Sequence, residues 1–300
     1  MSQGISHDRQ IGFWVAKIGD LPALPDVVHQ TIKVVNNPNS SIRQISEMLA
    51  QDPSLSTKVL RLANSGYYAL PGGALTIERA VTALGIDNVS QMVFTASLFS
   101  QFDLNSETPF SIREFWRHSL GVAIASETIA REIGTRETSL IYLAGLVHDI
   151  GKLAHYQIAK DEWLLICNHA QAGGITVSES EKELGSVPHD ALGFELVRQW
   201  QLPLLIQEAV QMHHDPGVFS SATQLMAHPR AVSIVYLANL LVHSLKFGNS
   251  GHSVTRNPSK DVVRRVLGNE AALLHIARST QKALMRVGPL FSTLFNSPSA

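Results

Sequence analysis

Cysteine is almost missing from this chain. One residue, Cys167, stands in 300, so no intrachain disulfide can form, and the fold is expected to rest on packing alone in a reducing compartment. Charge is scarce too. Charged residues make up 16% of the chain, the formal net charge is −1 and the isoelectric point lies near 6.9. Gripping a nucleic-acid backbone takes clustered positive charge, so general nucleic-acid binding is not expected, although a local basic pocket stays possible. The longest apolar stretch, Ala231 to Leu245, falls short of the ~20 residues of a spanning helix and contains Ser233, Asn239 and His243. Met1 to Gln10 is polar and has no apolar signal core. No membrane association is expected, and a cytoplasmic location is. Repeats, low-complexity segments, a Walker-type phosphate loop and a nucleophilic Ser or Cys arrangement are also missing. Pro71-Gly72-Gly73 reads only as a turn.

What is present is apolar and helical. Hydrophobic residues are 45% of the chain, enough for a sizeable core, and they recur at helical spacing with no persistent strand alternation. The fold class is therefore all-α. Ser41 can cap a helix whose Ile42, Ile45 and Leu49 share a face. Asp52 before Pro53 is a strong helix start, with Leu55, Val59 and Leu62 as its stripe. Thr76 can cap the next helix, which Gly85 should stop. Polar residues from Asp103 to Pro109 divide the chain into an N-terminal helical part, 14–107, and a second helical subdomain, 108–290. The second part should hold a long helix over Ser111 to Ile133, a helix carrying His148 and Asp149, and further helices near Ala159 to Ala172, after Pro188 and near Pro203 to His213. Pro216 to Pro229 and Gly248 to Pro258 read as loops. Helices are expected at Ala231 to Leu245 and Glu270 to Val287, with a frayed tail after Phe295. Trp116, Trp163 and Trp200 look like core anchors.

The chemistry-bearing residues are histidines with a carboxylate among them: His118, His148 beside Asp149, His189, and His213 beside His214. Imidazole is the commonest metal-binding side chain, and several imidazoles with a carboxylate suit a divalent ion. Each also has a plainer reading. Glu114 and His118 can form an exposed pair one helical turn apart. His148 can donate to a backbone carbonyl, while Asp149 caps the following turn. His189 opens a helix, and His213 and His214 close one, where the dipole favours a protonated ring. Lys152 is either a surface lysine or a cation facing a bound phosphate or carboxylate. His29, His155, His169, His228, His243, His252 and His275 read as core or surface residues, with His155 worth watching because it lies one turn past Gly151.

The stretch Leu143-Ala144-Gly145-Leu146-Val147-His148-Asp149-Ile150-Gly151-Lys152 resembles the core of the HD superfamily of metal-dependent phosphohydrolases. Leu21-Pro22-Ala23-Leu24-Pro25, the segment Gln51 to Ser65 and Ile77 to Gly85 are similar to the opening of an HDOD domain, a bacterial relative of the HD-GYP phosphodiesterases. The resemblance runs over about 21–214 and implies an HD-like helical bundle with an additional N-terminal helical subdomain. It further implies a divalent metal centre, of two ions (Fe, Mn or Zn), with Glu114, His118, His148, Asp149, His189, His213, His214 and Asn239 as ligand positions, and with Asp149 and Lys152 as catalytic candidates. Two departures stand out. Asn239 occupies the place where the HD pattern has its final aspartate, and the glycine-tyrosine-proline segment after the paired histidines is replaced by Asp215-Pro216-Gly217. A bacterial signalling module follows as the expected function, metal-binding but weakly or not catalytic, acting through a partner protein or a small ligand such as a nucleotide. The alternatives are a metal-dependent phosphodiesterase acting on a nucleotide or cyclic dinucleotide, and a diiron oxygen or redox sensor.

Overall fold

A computed structural model describes residues 14, 16–101, 109–214 and 226–295. Among the described residues there are fifteen helices and no strand. The expected break at Asp103–Pro109, the loop after Pro216 up to residue 225, the first thirteen residues and the tail beyond Phe295 lie outside them, apart from Pro109.

The first helices start where local chemistry places them. Helix α1 covers Asp26–Val35. Helix α2, Ile42–Ala50, opens on a reciprocal cap in which the Ser41 hydroxyl accepts from the Gln44 amide and the Gln44 side chain accepts from the Ser41 amide. Asp52 accepts from Leu55 N ahead of α3, Pro53–Ala63, and Thr76 accepts from Arg79 N ahead of α4, Ile77–Phe99. Gly85 does break the helical pattern, with φ 86°, ψ 162°, yet the chain re-enters a helix at once, so α4 kinks instead of ending. Asn64 pins the Pro71-Gly72-Gly73 turn, accepting from Ala74 N at 2.7 Å and donating to Ala74 O at 2.8 Å.

Helix α5, Ile112–Glu132, is capped by Ser111 and packs along α6, Thr138–Val147, in which every residue from Ser139 to Val147 is buried. Helix α6 also touches α4 and two helices that bear site residues: α11, Leu204–Met212, and α12, Pro229–Ser244. It is thus the centre of the core. Between them run α7 (Ile150–Ile158), α8 (Lys160–Gly173), α9 (Val177–Leu184) and α10 (His189–Gln199). The chain closes with α13 (Lys260–Leu267), α14 (Glu270–Met285) and α15 (Gly288–Phe295). Trp116, Trp163 and Trp200 are all buried. No helix among the described residues is long and apolar enough to cross a membrane.

Candidate metal centre

His148 and Asp149 do not sit inside one helix, as the apolar run around them suggested. Helix α6 ends at Val147, His148 is its C-cap, and α7 begins at Ile150. The joint frees both side chains to turn inward together. Asp149 makes no cap bond to α7; its carboxylate points into the cluster instead.

The terminal carbonyls of a helix lack intrahelical donors, and two histidines use that need in the same way. His148 Nδ1 donates to Gly145 O at 2.8 Å, and His213, the C-cap of α11, donates from Nδ1 to Val210 O at 2.8 Å. His189, the first residue of α10, is fixed by Glu181 on α9: the carboxylate accepts from its Nδ1 at 2.8 Å and from its backbone amide at 3.2 Å. Fixing Nδ1–H in each ring leaves Nε2 as the inward atom, the arrangement typical of metal-binding histidines. Those atoms converge on Asp149. Its Oδ1 lies 3.2 Å from His213 Nε2 and 3.4 Å from His189 Nε2, while Oδ2 lies 3.3 Å from His148 Nε2 and 2.7 Å from Lys152 Nζ. His214 Nε2 approaches His189 Nε2 to 2.8 Å. Two sets of donor atoms each fall within 4.8 Å of one another: Asp149, His189, His213 and His214, and separately His118, His148 and Asp149.

Burial sets the charge states. Burial alone would raise the Asp149 pKa, but the neighbouring His148 and Lys152 and a hydrogen bond from His189 hold it well below the usual carboxylate range. Burial opposes protonation of His189, yet Glu181 and Asp149 lift its pKa to about 9. His213 and His214 are both pushed down, first by burial and then by neighbouring rings in the case of His214. The helix dipole that would favour a protonated ring there is overruled, because desolvating a charge inside the core outweighs a surface-scale dipole effect.

The other expected residues divide. His118 is fully buried on α5, and its Nε2 lies 3.0 Å from Asn239 Oδ1; an amide oxygen only accepts, so the ring donates. Lys152 is fully buried and bonds Ser250 Oγ at 3.1 Å as well as Asp149, so it is no surface lysine. Glu114 is brought into neither donor set: its side chain is 39% exposed and lies 3.8 Å from Arg117. His155 is packed between Trp14 and Trp163, with ring centroids at 4.8 and 5.3 Å.

Four contributors were not singled out from sequence. Glu181 lies on a short helix whose Thr176-Val177-Ser178-Glu179 reciprocal cap was there to be read. His243 and His252 continue the ring stack from His118, at 4.4 and then 4.5 Å between centroids. Burial and Lys152 depress them to about 3 and about 2. Ser250 and His252 come from the loop after α12, which seats its Gly248 (φ 75°) on the backbone of His118; a Cβ there would overlap His118 N and lie 2.6 Å from Glu114 O.

The donors suit a divalent ion. His148 Nε2 and His118 Nδ1 are buried without a hydrogen-bond partner, and neutral imidazoles facing a carboxylate are ligands of the borderline type. Helical bundles that hold such a set at helix ends form the HD class. Within it, the chain belongs to the HDOD family: the HDOD domain model matches residues 21–216. Similar solved structures include an HDOD domain protein from Geobacter sulfurreducens, 26% identical, with a TM-score of 0.79 over 96% of this chain and 99% of that one. A candidate phosphohydrolase from Shewanella amazonensis SB2B is 22% identical, TM-score 0.71, over 94% and 98%. A candidate signal transduction protein from Marinobacter aquaeolei VT8 is 19% identical, TM-score 0.71, over 92% of this chain and 59% of that one. The chain spans about a third of the length of the curated relatives it matches.

Proposed function

We propose that this chain is an HDOD signalling module that keeps a divalent metal in its core and turns over phosphodiesters weakly or not at all. The names borne by the fold neighbours cover both roles, so the choice rests on this chain's residues. The observation that carries it is Asn239. A neutral amide stands where a carboxylate would complete the charge of a two-ion hydrolytic centre, and its oxygen is already taken by His118. The burial of His148, Asp149, His189 and His213 at 1% exposure or less favours the same reading, because a phosphodiester must reach the metal to be cleaved.

Asp149, His189, His213 and His214 would hold the ion. When bound, it would supply Lewis acidity and a lowered water pKa. The chain's own residues do the rest. Glu181 keeps His189 in the tautomer that offers Nε2, the Gly145 and Val210 carbonyls do so for His148 and His213, and Lys152 places positive charge on Asp149 Oδ2. Tying four helix ends to one carboxylate makes the packing of α6, α7, α10 and α11 responsive to the state of the centre, which is what a partner protein or small ligand would read.

The test is hydrolysis of cyclic dinucleotides and generic phosphodiesters by the iron-, manganese- and zinc-loaded protein, beside Asn239→Asp. Negligible turnover by the wild type is expected. Robust turnover would replace this reading with the phosphodiesterase one.

A further inference from the structure

Among the described residues, the buried Asp, Glu, Lys and Arg side chains are three: Asp149, Lys152 and Glu181. All three belong to this one centre. Two carboxylates and one ammonium leave a single net negative charge, and the histidines that bind metal do so as neutral rings. One divalent ion brings the buried centre to one net positive charge, which a hydroxide or a ligand carboxylate neutralises. A second divalent ion would bring it to three positive charges within one dry cluster. Uncompensated buried charge is among the costliest arrangements a protein can contain.

Geometry divides the two halves in the same sense. On the Oδ1 side of Asp149, the donors His189, His213 and His214 face one carboxylate oxygen with no lysine or arginine among them. On the Oδ2 side, Lys152 Nζ already sits 2.7 Å from the oxygen that a second ion would need, and Ser250 holds it from behind at 3.1 Å. On that side His118 and Asn239 satisfy each other at 3.0 Å, and the further imidazole donor there is His148, its Nε2 3.3 Å from Oδ2. The neighbouring His243 and His252 add no negative charge.

We infer that the centre is mononuclear: one divalent ion on Asp149 Oδ1, His189, His213 and His214, with the Lys152 ammonium standing in the place of a second ion on Asp149 Oδ2. This inference rests on the metal-retaining reading above. It replaces the two ions implied by the HD-GYP resemblance, and it gives Lys152 a permanent electrostatic task that does not depend on substrate.

The experiment is metal analysis of the full-length protein after chelation and reconstitution with zinc or manganese, on wild type, His214→Ala, His118→Ala and the double variant Lys152→Met/Asn239→Asp, with circular dichroism to verify folding. The expected result is one ion per chain in wild type, retained in His118→Ala, lost in His214→Ala, and two ions in the double variant. Manganese-loaded wild type should give the electron paramagnetic resonance of an isolated ion, not of a coupled pair, a readout that needs no variant to fold. Two ions in wild type, or loss of the ion in His118→Ala but not in His214→Ala, would overturn the mononuclear assignment and leave the signalling reading standing. No ion with any metal would overturn both.

Discussion

Gly151→Ala sets two principles against each other at the centre of the fold. Gly151 lies in the first turn of α7, where alanine is preferred to glycine by up to ~1 kcal/mol on helix propensity alone. Packing demands the opposite. A Cβ at Gly151 would overlap the His189 carbonyl oxygen of α10 and lie 2.6 Å from Gly193 N. Both are backbone atoms, so no side-chain rotation relieves the clash and the two helices must move apart. Overpacking of this kind typically costs ~1–3 kcal/mol and sometimes more, and the backbone contact puts this case at the top of that range. Taking ~3 kcal/mol against ~1, packing wins by about 2 kcal/mol, which lowers the melting temperature by roughly 4–8 °C at ~2–4 °C per kcal/mol for a domain of this size. Because His189 opens α10, the displacement also pulls a ligand away from Asp149 and weakens metal binding. The assay is thermal unfolding with and without chelator, together with Gly173→Ala as a control. Gly173 ends α8, and a Cβ there meets nothing nearer than 3.4 Å. The control should be neutral or slightly stabilising. The packing cost should persist in chelator, since it does not arise from the ion. A Gly151→Ala protein that melts at or above the wild type would refute the reasoning.

Other outcomes follow from the same contacts. His189, raised to about 9, carries a proton at pH 7 in the metal-free protein, so binding an ion should release about one proton and affinity should climb with pH until about 9; calorimetry in buffers of different ionisation enthalpy reads this directly, and a buffer-independent enthalpy at pH 7 would contradict it. His243 and His252 titrate in the folded state at about 3 and about 2, below the unfolded value near 6.5. Their depressed pKa values mean that stability is present above pH 6.5 and is lost as pH falls below it, by ~1.4 kcal/mol for each ring at pH 5.5; denaturant titrations at pH 7.5 and 5.5 should therefore differ by about 3 kcal/mol from this pair, and equal midpoints would sink the assignment. Glu181→Gln should lower metal affinity by ~10–100-fold while the far-ultraviolet spectrum is unchanged. An affinity equal to wild type would mean that Glu181 holds only the start of α10.

The sequence is legible where a local rule acts alone. Ser41, Asp52 and Thr76 cap the helices they were expected to cap, because a side chain that accepts from an amide three residues on needs no distant partner. The order of His118, His148, Asp149, His189, His213 and His214 could be read because the HD motif names it, and the fold gathers these side chains around Asp149. What was hidden depends on long-range contact. The placement of His148 and Asp149 at a joint is invisible in a continuous apolar run, since only packing decides that α7 must leave the axis of α6 to meet α10. Glu181 sits in an eight-residue helix with little apolar signal, and its role appears only when α9 is folded against the start of α10. Ser250 and His252 carry no motif at all; they reach Lys152 and His243 because Gly248 lets the loop rest on α5.

The central claim is that Asp149, His189, His213 and His214 bind a divalent ion. Anomalous diffraction from crystals of the zinc-loaded protein, recorded on both sides of the zinc edge, tests it most directly. One peak is expected at ~2.0–2.2 Å from Asp149 Oδ1 and the Nε2 atoms of the three histidines. A difference map with no peak at these four residues, after loading that solution analysis shows to be complete, would contradict it.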